Sequence, residues 1–158
     1  GLLSHQAMLY SDLTAWENLR FHARLYGLPS PGERVRTALH EAHLADRAHA
    51  RVRTLSQGMR QRLALARACL HQPAVLLLDE PFSGLDRDGV RQLRRRLLDE
   101  RRRGTTCLLV SHRLEDAAGL ADNLLLLENG CLRRCVSREF SSVGELAAAA
   151  GYTEPGTP

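Results

Sequence analysis

The stretch from Ala74 to Arg103 limits the possible folds most sharply. Ala74 to Leu78 is a continuous apolar run of strand length, and it ends in two carboxylates, Asp79 and Glu80. Asp88 to Arg103 then carries apolar residues at helical spacing, Val90, Leu93, Leu97 and Leu98, and closes on Gly104. Thr105 to Val110 is a second apolar run. Strands that read as unbroken apolar runs, joined by a helix, belong to a parallel sheet covered on both faces.

The segment ahead of this unit has a different rhythm. Leu13, Trp16, Leu19, Ala23 and Tyr26 recur at helical spacing, Thr14 with Glu17 fits a capping box, and Gly27, Pro29, Pro31 and Gly32 are expected to end that helix. A second helix is expected over Glu33 to Ala42, a short helix or turn over Leu44 to Ala50, and a third helix from Ser56 to His71, closed by Pro73. Gly1 to His5 reads as the end of a strand and Gln6 to Ser11 as a loop. After the sheet unit, Leu114 to Ala121 reads as a short helix. Asn123 to Leu127 and Cys131 to Val136 flank Asn129-Gly130, a hairpin signal, and an Ala-rich helix and a frayed tail follow. A doubly wound α/β sheet preceded by a helical insertion fits this order.

Composition excludes several alternatives. Aromatic residues are 4% of the chain, so Leu, Ala and Val must build the core. No apolar run reaches the roughly 18 residues of a membrane helix. Cys69, Cys107, Cys131 and Cys135 lack further ligands at metal spacing and read as reduced thiols. Asp99 and Glu100 interrupt the arginine clusters 94–96 and 101–103, which therefore read as a solvated helix face rather than a nucleic-acid surface. All 22 basic residues are arginine. The phosphate-gripping P-loop, G-x-x-x-x-G-K-[ST], needs a lysine, so these 158 residues contain none.

Three constellations carry chemistry. Ligands of open α/β sheets sit at the carboxyl ends of strands, where Asp79 is placed to hold Mg²⁺ and Glu80 to polarise an attacking water. Two acids after a strand equally open an ordinary loop. Ser56 is a good N-cap for a helix whose free N–H groups and positive end suit a phosphate, and Gly58 leaves room for close approach. Alone, Ser-x-Gly is more often a capped helix without a ligand. His112 follows the second apolar strand, where it reads either as a structural histidine or as a sensor of a nucleotide's phosphate end.

Taken together, these motifs resemble the ATP-binding subunits of ABC transporters. Leu55-Ser56-Gln57-Gly58-Met59 is similar to the family signature LSGGQ, with departures at the third and fifth positions. Leu76-Leu77-Leu78-Asp79 with Glu80 resembles the Walker B strand and catalytic glutamate, Ser83-Gly84-Leu85-Asp86 the D-loop, and His112 the switch histidine. Gln6 stands where the family has its Q-loop glutamine. The resemblance covers nearly the whole chain apart from the C-terminal tail. It implies a P-loop NTPase-like sheet with an inserted ABC helical subdomain, N-terminally truncated. Residues 7–72 would form the helical subdomain, 73–136 the RecA-like core from Walker B to the H-loop, and 137–158 a tail.

The resemblance further implies ATP and Mg²⁺ as cofactors and a head-to-tail dimer with a second ATP-binding subunit. Glu80 and His112 would be catalytic, and Asp79 and Gln6 would serve Mg²⁺. Gln6 and Asp86 would contact ATP, while Ser56, Gln57 and Gly58 would face the ATP held by the partner. An integral membrane permease would dock near Gln6 to Asp12, with Tyr10 in the docking groove and Trp16 in the core, and the subunit would lie at the cytoplasmic face of the membrane. GLLSHQAMLYSDLTAWENLRFHARLYGL and LSQGMRQRLALARA look closest to the haem-exporter ATPase of cytochrome c maturation. The chain opens without Met, so its phosphate grip is expected before Gly1, and these residues alone are expected to bind ATP weakly and to aggregate. A non-catalytic remnant, or the ATPase of a drug or polysaccharide exporter, is the alternative. A soluble ABC protein acting on ribosomes or DNA would normally show a second cassette or long heptads, which are absent from these residues.

Overall fold

A computed structural model describes residues 1–4, 8–137 and 142–150. Contacts divide the chain into two compact units, Gly1–Val110 and Ser111–Pro158.

In the first unit, β1 (Leu2–Leu3), β2 (Val75–Asp79) and β3 (Thr106–Val110) form a parallel sheet in that order. Three helices precede β2: α1 (Ala15–Leu25), α2 (Pro31–Glu41) and α3 (Gln57–Cys69). A fourth, α4 (Arg87–Arg102), joins β2 to β3. Local chemistry sets the helix starts. Thr14 Oγ1 accepts from the Glu17 N–H at 3.1 Å, and the Thr14 N–H donates back to Glu17 Oε2 at 2.8 Å, completing the expected capping box. Ser56 Oγ accepts from the Met59 N–H, and Asp86 Oδ1 accepts from the Gly89 N–H.

Pro31 and Gly32 do not end the first helix. Pro31 is the first residue of α2, where its missing N–H costs nothing and its fixed φ suits helix geometry. Tyr26 also departs from the expected inward face. It is 42% exposed, because the face of α1 that turns inward is Ala15, Asn18, Leu19 and Ala23. Ala15, Leu19 and Ala23 pack with Val35, Leu39, Leu44 and Leu63 into one apolar cluster. Trp16 lies half-buried against that cluster. Asn18 is fully buried, and its amide is used on both sides. Its oxygen accepts from the Tyr10 N–H at 2.8 Å, and its nitrogen donates to the Tyr10 and Thr14 carbonyls at 3.0 and 2.9 Å.

On α4, Leu93 and Leu97 are buried as expected, while Val90 and Leu98 are half-buried and the third buried residue is Glu100. Arg95, Arg101 and Arg102 face solvent, but Arg96 turns inward, its side chain 18% exposed. A buried carboxylate needs a close cation. Arg96 supplies one at 2.7 Å and Arg103 a second at 3.1 Å. The same two arginines reach Glu41 of α2, at 2.7 and 2.8 Å.

Among the described residues the sheet is covered on one face only. Leu3, Leu76 and Leu78 are buried. On the other face Leu2, Leu77 and Leu108 form one cross-strand row and are 39%, 41% and 48% exposed. Val75 and Val110 on that face are also exposed.

In the second unit, β4 (Asn123–Glu128) and β5 (Cys131–Ser137) pair antiparallel around Asn129-Gly130. Both turn residues have positive φ, 50° and 75°, the geometry an Asn-Gly hairpin turn requires. The short helix α5 (Leu114–Ala117) ends before the expected Ala121, with Gly119 in the left-handed region. Ala149 of α6 (Val143–Ala150) is buried among Ala117, Ala118, Ala121 and Leu124.

Candidate active site

Asp79 is the last residue of β2 and stands opposite Val110 in the register. Residues of a strand alternate between faces, so Asp79 shares the uncovered face with Val75 and Leu77. Its carboxylate is exposed and accepts no hydrogen bond among the described residues. Mg²⁺ is commonly held by one or two carboxylates together with substrate phosphates, so a single free carboxylate at a strand end fits that ion. Among the described residues there is no group of three or more His, Cys, Asp or Glu that would hold a metal unaided.

Glu80 follows in an unusual conformation, with φ +48°. A left-handed backbone costs a residue with a Cβ about 1–2 kcal/mol, and such strain concentrates at functional sites. Two bonds hold it. The Glu80 N–H donates to the Val110 carbonyl at 2.9 Å, and the Glu80 carbonyl accepts from the Ser83 N–H at 3.1 Å. The chain therefore turns sharply at the end of β2 while its backbone stays tied to β3.

The turn after Glu80 meets the start of α3. Gln61 Nε2 donates to the Pro81 carbonyl at 2.8 Å. The Gln57 side chain covers Gly84, where an added Cβ would lie 3.6 Å from its Cγ. Gln57 Oε1 also accepts from Arg60 at 3.1 Å. The glutamine in place of the glycine at the signature's third position is thus spent within the chain, on Arg60 and on the loop of Gly84. Gly58 differs. A Cβ there would meet only Leu85 Cδ2, at an ordinary 3.8 Å, so no internal packing requires glycine at this position.

Ser56, Gln57 and Gly58 therefore come together with the 81–86 loop in the first unit. The Asp86 carboxylate is engaged as the cap of α4. His112 opens the second unit in the turn between β3 and α5, beside a local motif in which Ser111 Oγ donates to Asp116 at 2.8 Å and accepts from the Arg113 N–H at 3.1 Å. Gln6 lies outside the described residues. Tyr10, expected at a docking surface, is 52% exposed and meets Phe21 edge-on at 5.4 Å. Sequence reasoning misses two residues that position this region. Asn18 fixes the Tyr10 loop, and its signal is a polar residue three positions from Ala15 on the inward face of α1. Arg67 is 6% exposed and donates to the Leu2 carbonyl at 2.7 Å, tying α3 to β1, with no local signal in the sequence.

A family profile described as ABC transporter matches residues 1–83. The chain is 38% identical over 134 residues to the ABC transporter ATP-binding protein YhcH of Bacillus subtilis, covering 84% of this chain and 43% of that protein. It is 41% identical over 132 residues to the Nod factor export ATP-binding protein I of Ralstonia nicotianae, covering 82% and 41%. It is 42% identical over 137 residues to the aliphatic sulfonates import ATP-binding protein SsuB 1 of Rhodococcus jostii, covering 85% and 55%. The chain thus spans about half the length of these curated relatives. The acids at the end of β2, the capped helix beside them and these likenesses agree: the chain belongs to the ABC transporter family and is homologous to its ATP-binding proteins.

Proposed function

We propose that this chain is the signature-and-metal half of an ATP-hydrolysing transport subunit, and that a segment gripping the phosphates docks on the open face of its sheet. The observation that carries this reading is the row Leu2, Leu77 and Leu108, apolar and exposed on the face that bears Asp79. Parallel strands of this composition are covered on both sides. Whatever covers the row also sits over Asp79. The chain has no lysine, so the P-loop must come from that covering segment. The whole is then a P-loop NTPase-like domain, with 7–72 as its helical subdomain, 73–136 as its core and 137–158 as a tail.

In this reading Mg²⁺, when bound, neutralises charge on the phosphates. Asp79 with Gln6 holds it, Glu80 takes the proton of the attacking water, and His112 contacts the phosphate end. Asp86 contributes through its loop. Ser56 and Gly58, at the N-terminus of α3, face ATP held by a second ATP-binding subunit, and close approach of that phosphate is a reason for glycine at 58. Gln57, turned toward Gly84, contributes less than a glycine at that position. The exposed surface of Tyr10, within the stretch Gln6 to Asp12, is where a membrane permease docks, with the subunit at the cytoplasmic face. Among the described residues no helix is long and apolar enough to cross a membrane.

The cargo is chosen by that permease. Export of haem for cytochrome c maturation rests on the opening stretch and the signature helix alone. The relatives above carry Nod factor export and aliphatic sulfonate import in their names. The absence of lysine favours a second reading, a non-catalytic remnant, for these 158 residues by themselves.

The test is Glu80→Gln in a chain extended to carry the phosphate-gripping segment. Turnover is expected to fall by about 10²-fold or more, and an ATP-bound dimer should accumulate on size-exclusion chromatography. Undiminished ATP hydrolysis would remove Glu80 from its role as base.

A further inference from the structure

A cavity of about 300 Å³ lies between α2, α3 and α4, away from the acids of β2. This is at the small end of the range for ligand sites. Its apolar wall is made by Ala38, Leu65, Ala66 and Leu93. Its polar wall is strongly cationic, with four arginines at 62, 95, 96 and 103.

The charges do not cancel. Arg96 and Arg103 are neutralised by Glu41 and Glu100. Asp99 is engaged by Arg102 at 2.9 Å. Arg62 donates to the carbonyls of Ala42 and His43 at 3.1 and 3.2 Å and meets no carboxylate among the described residues. Arg95 is exposed and has no ion-pair partner among the described residues. Two guanidinium charges are therefore left facing one apolar recess. The recess is also held in shape, because Glu41 is bound by both Arg96 and Arg103 and so fixes the end of α2 against α4. A preformed pocket binds at lower entropic cost.

We infer that this cavity is a binding site for a small organic dianion, a phosphate monoester carrying an apolar group. Arg62 and Arg95 take the phosphate, since guanidinium groups suit its geometry and charge. The wall of Leu65, Ala66 and Leu93 takes the apolar group. An occupant would bridge α2 to α4.

Phenyl phosphate is the probe, titrated into the chain and followed by calorimetry and by NMR. Saturable binding is expected, with shifts centred on His43 and Ala66. Inorganic phosphate, which lacks the apolar group, should bind more weakly. Arg95→Gln removes one charge without touching an internal bond and should weaken phenyl phosphate by about fivefold or more while leaving the Tm of the unliganded chain unchanged. The inference is overturned by absence of saturable binding or by equal affinity in Arg95→Gln. Shifts centred on Asp79 to Asp86, or inorganic phosphate binding as tightly as the ester, overturn it equally.

Discussion

The helical segment between Met8 and Gln72 and the sheet that follows it are both rich in apolar residues, yet they meet solvent differently. The helices close on themselves. Leu19, Leu39, Leu44 and Leu63 are at most 2% exposed, and even the polar Asn18 is buried with its amide satisfied. The sheet closes on one side only, leaving Leu2, Leu77 and Leu108 in the open. A helix needs one apolar stripe covered, and three helices can do that for one another. A parallel strand has two apolar faces and needs a second layer. The difference separates what this stretch of chain stabilises alone from what it holds ready for another segment.

Substitution of leucines gives the largest expected break in that contrast. Leu39→Ala should destabilise the chain by about 2–5 kcal/mol, since a filled core site becomes a cavity. Leu77→Ala should cost these 158 residues much less, about 1 kcal/mol or below, because the side chain is 41% exposed. In a chain extended by the covering segment, the cost of Leu77→Ala should rise toward that of Leu39→Ala. Urea denaturation of these variants and their two parents measures this, and an unchanged Leu77→Ala penalty in the extended chain would show that the face stays open.

Gly1 sharpens the comparison from the covered side of the sheet. An added Cβ there would lie 2.4 Å from the Ala68 carbonyl oxygen and 2.9 Å from Leu76 Cδ1. Gly1→Ala should cost about 1–3 kcal/mol by overpacking, read as a lower urea midpoint. A midpoint equal to the parent's would mean that β1 and α3 separate easily.

A smaller effect is expected with pH, within the helical layer. Burial first, and then the nearby Arg67 charge, lower the His22 pKa below its ordinary 6.5. Burial first, and then the Arg67 charge, do the same to His71, which stacks on Tyr26 at 4.2 Å. The folded chain therefore takes up these protons less readily than the unfolded chain. Stability should be full above pH 6.5 and should decline as pH falls from 6.5 through the lower folded-state pKa values. Thermal melts between pH 7.5 and 5.5 should show a shallower decline in His71→Gln than in the parent. An identical decline would place the sensitivity elsewhere.

The smallest effect concerns thiols. Burial pushes the Cys69 thiol up to about 12, whereas Cys131 is exposed on the hairpin. A maleimide should label Cys131 within the folded chain and reach Cys69 only on unfolding. Mass spectrometry of the digested adduct locates the label, and early labelling of Cys69 would mean that α3 opens readily.

Features that rest on a few neighbouring residues are legible in the sequence. Thr14 with Glu17, Ser56 and Asn129-Gly130 act within one turn of chain, so their chemistry is written in adjacent letters. The strand ending in Asp79 and Glu80 is legible for the same reason. Long-range placements are not. Glu41 meets Arg96 across 55 positions and Arg67 meets Leu2 across 65, and no local pattern marks either partner. Arg96 reads as part of a solvated face because its neighbours do, but a buried Glu100 one turn on draws it inward. Tyr26 reads as inward because it keeps the period of Leu19 and Ala23, yet α1 ends at Leu25.

The sequence by itself determined the order of elements, the family, the acids at the end of β2, and the lack of the lysine that a P-loop needs. Each follows from residue type and short spacing. Only the tertiary structure decided that Asp79 lies on the uncovered face, that Glu80 is held in a left-handed turn by Val110 and Ser83, and that Gln57 turns onto Gly84. Those outcomes depend on strand register and on which surfaces meet. Alternation along a strand tells which residues share a face, but the layers packed around the sheet choose which face is covered.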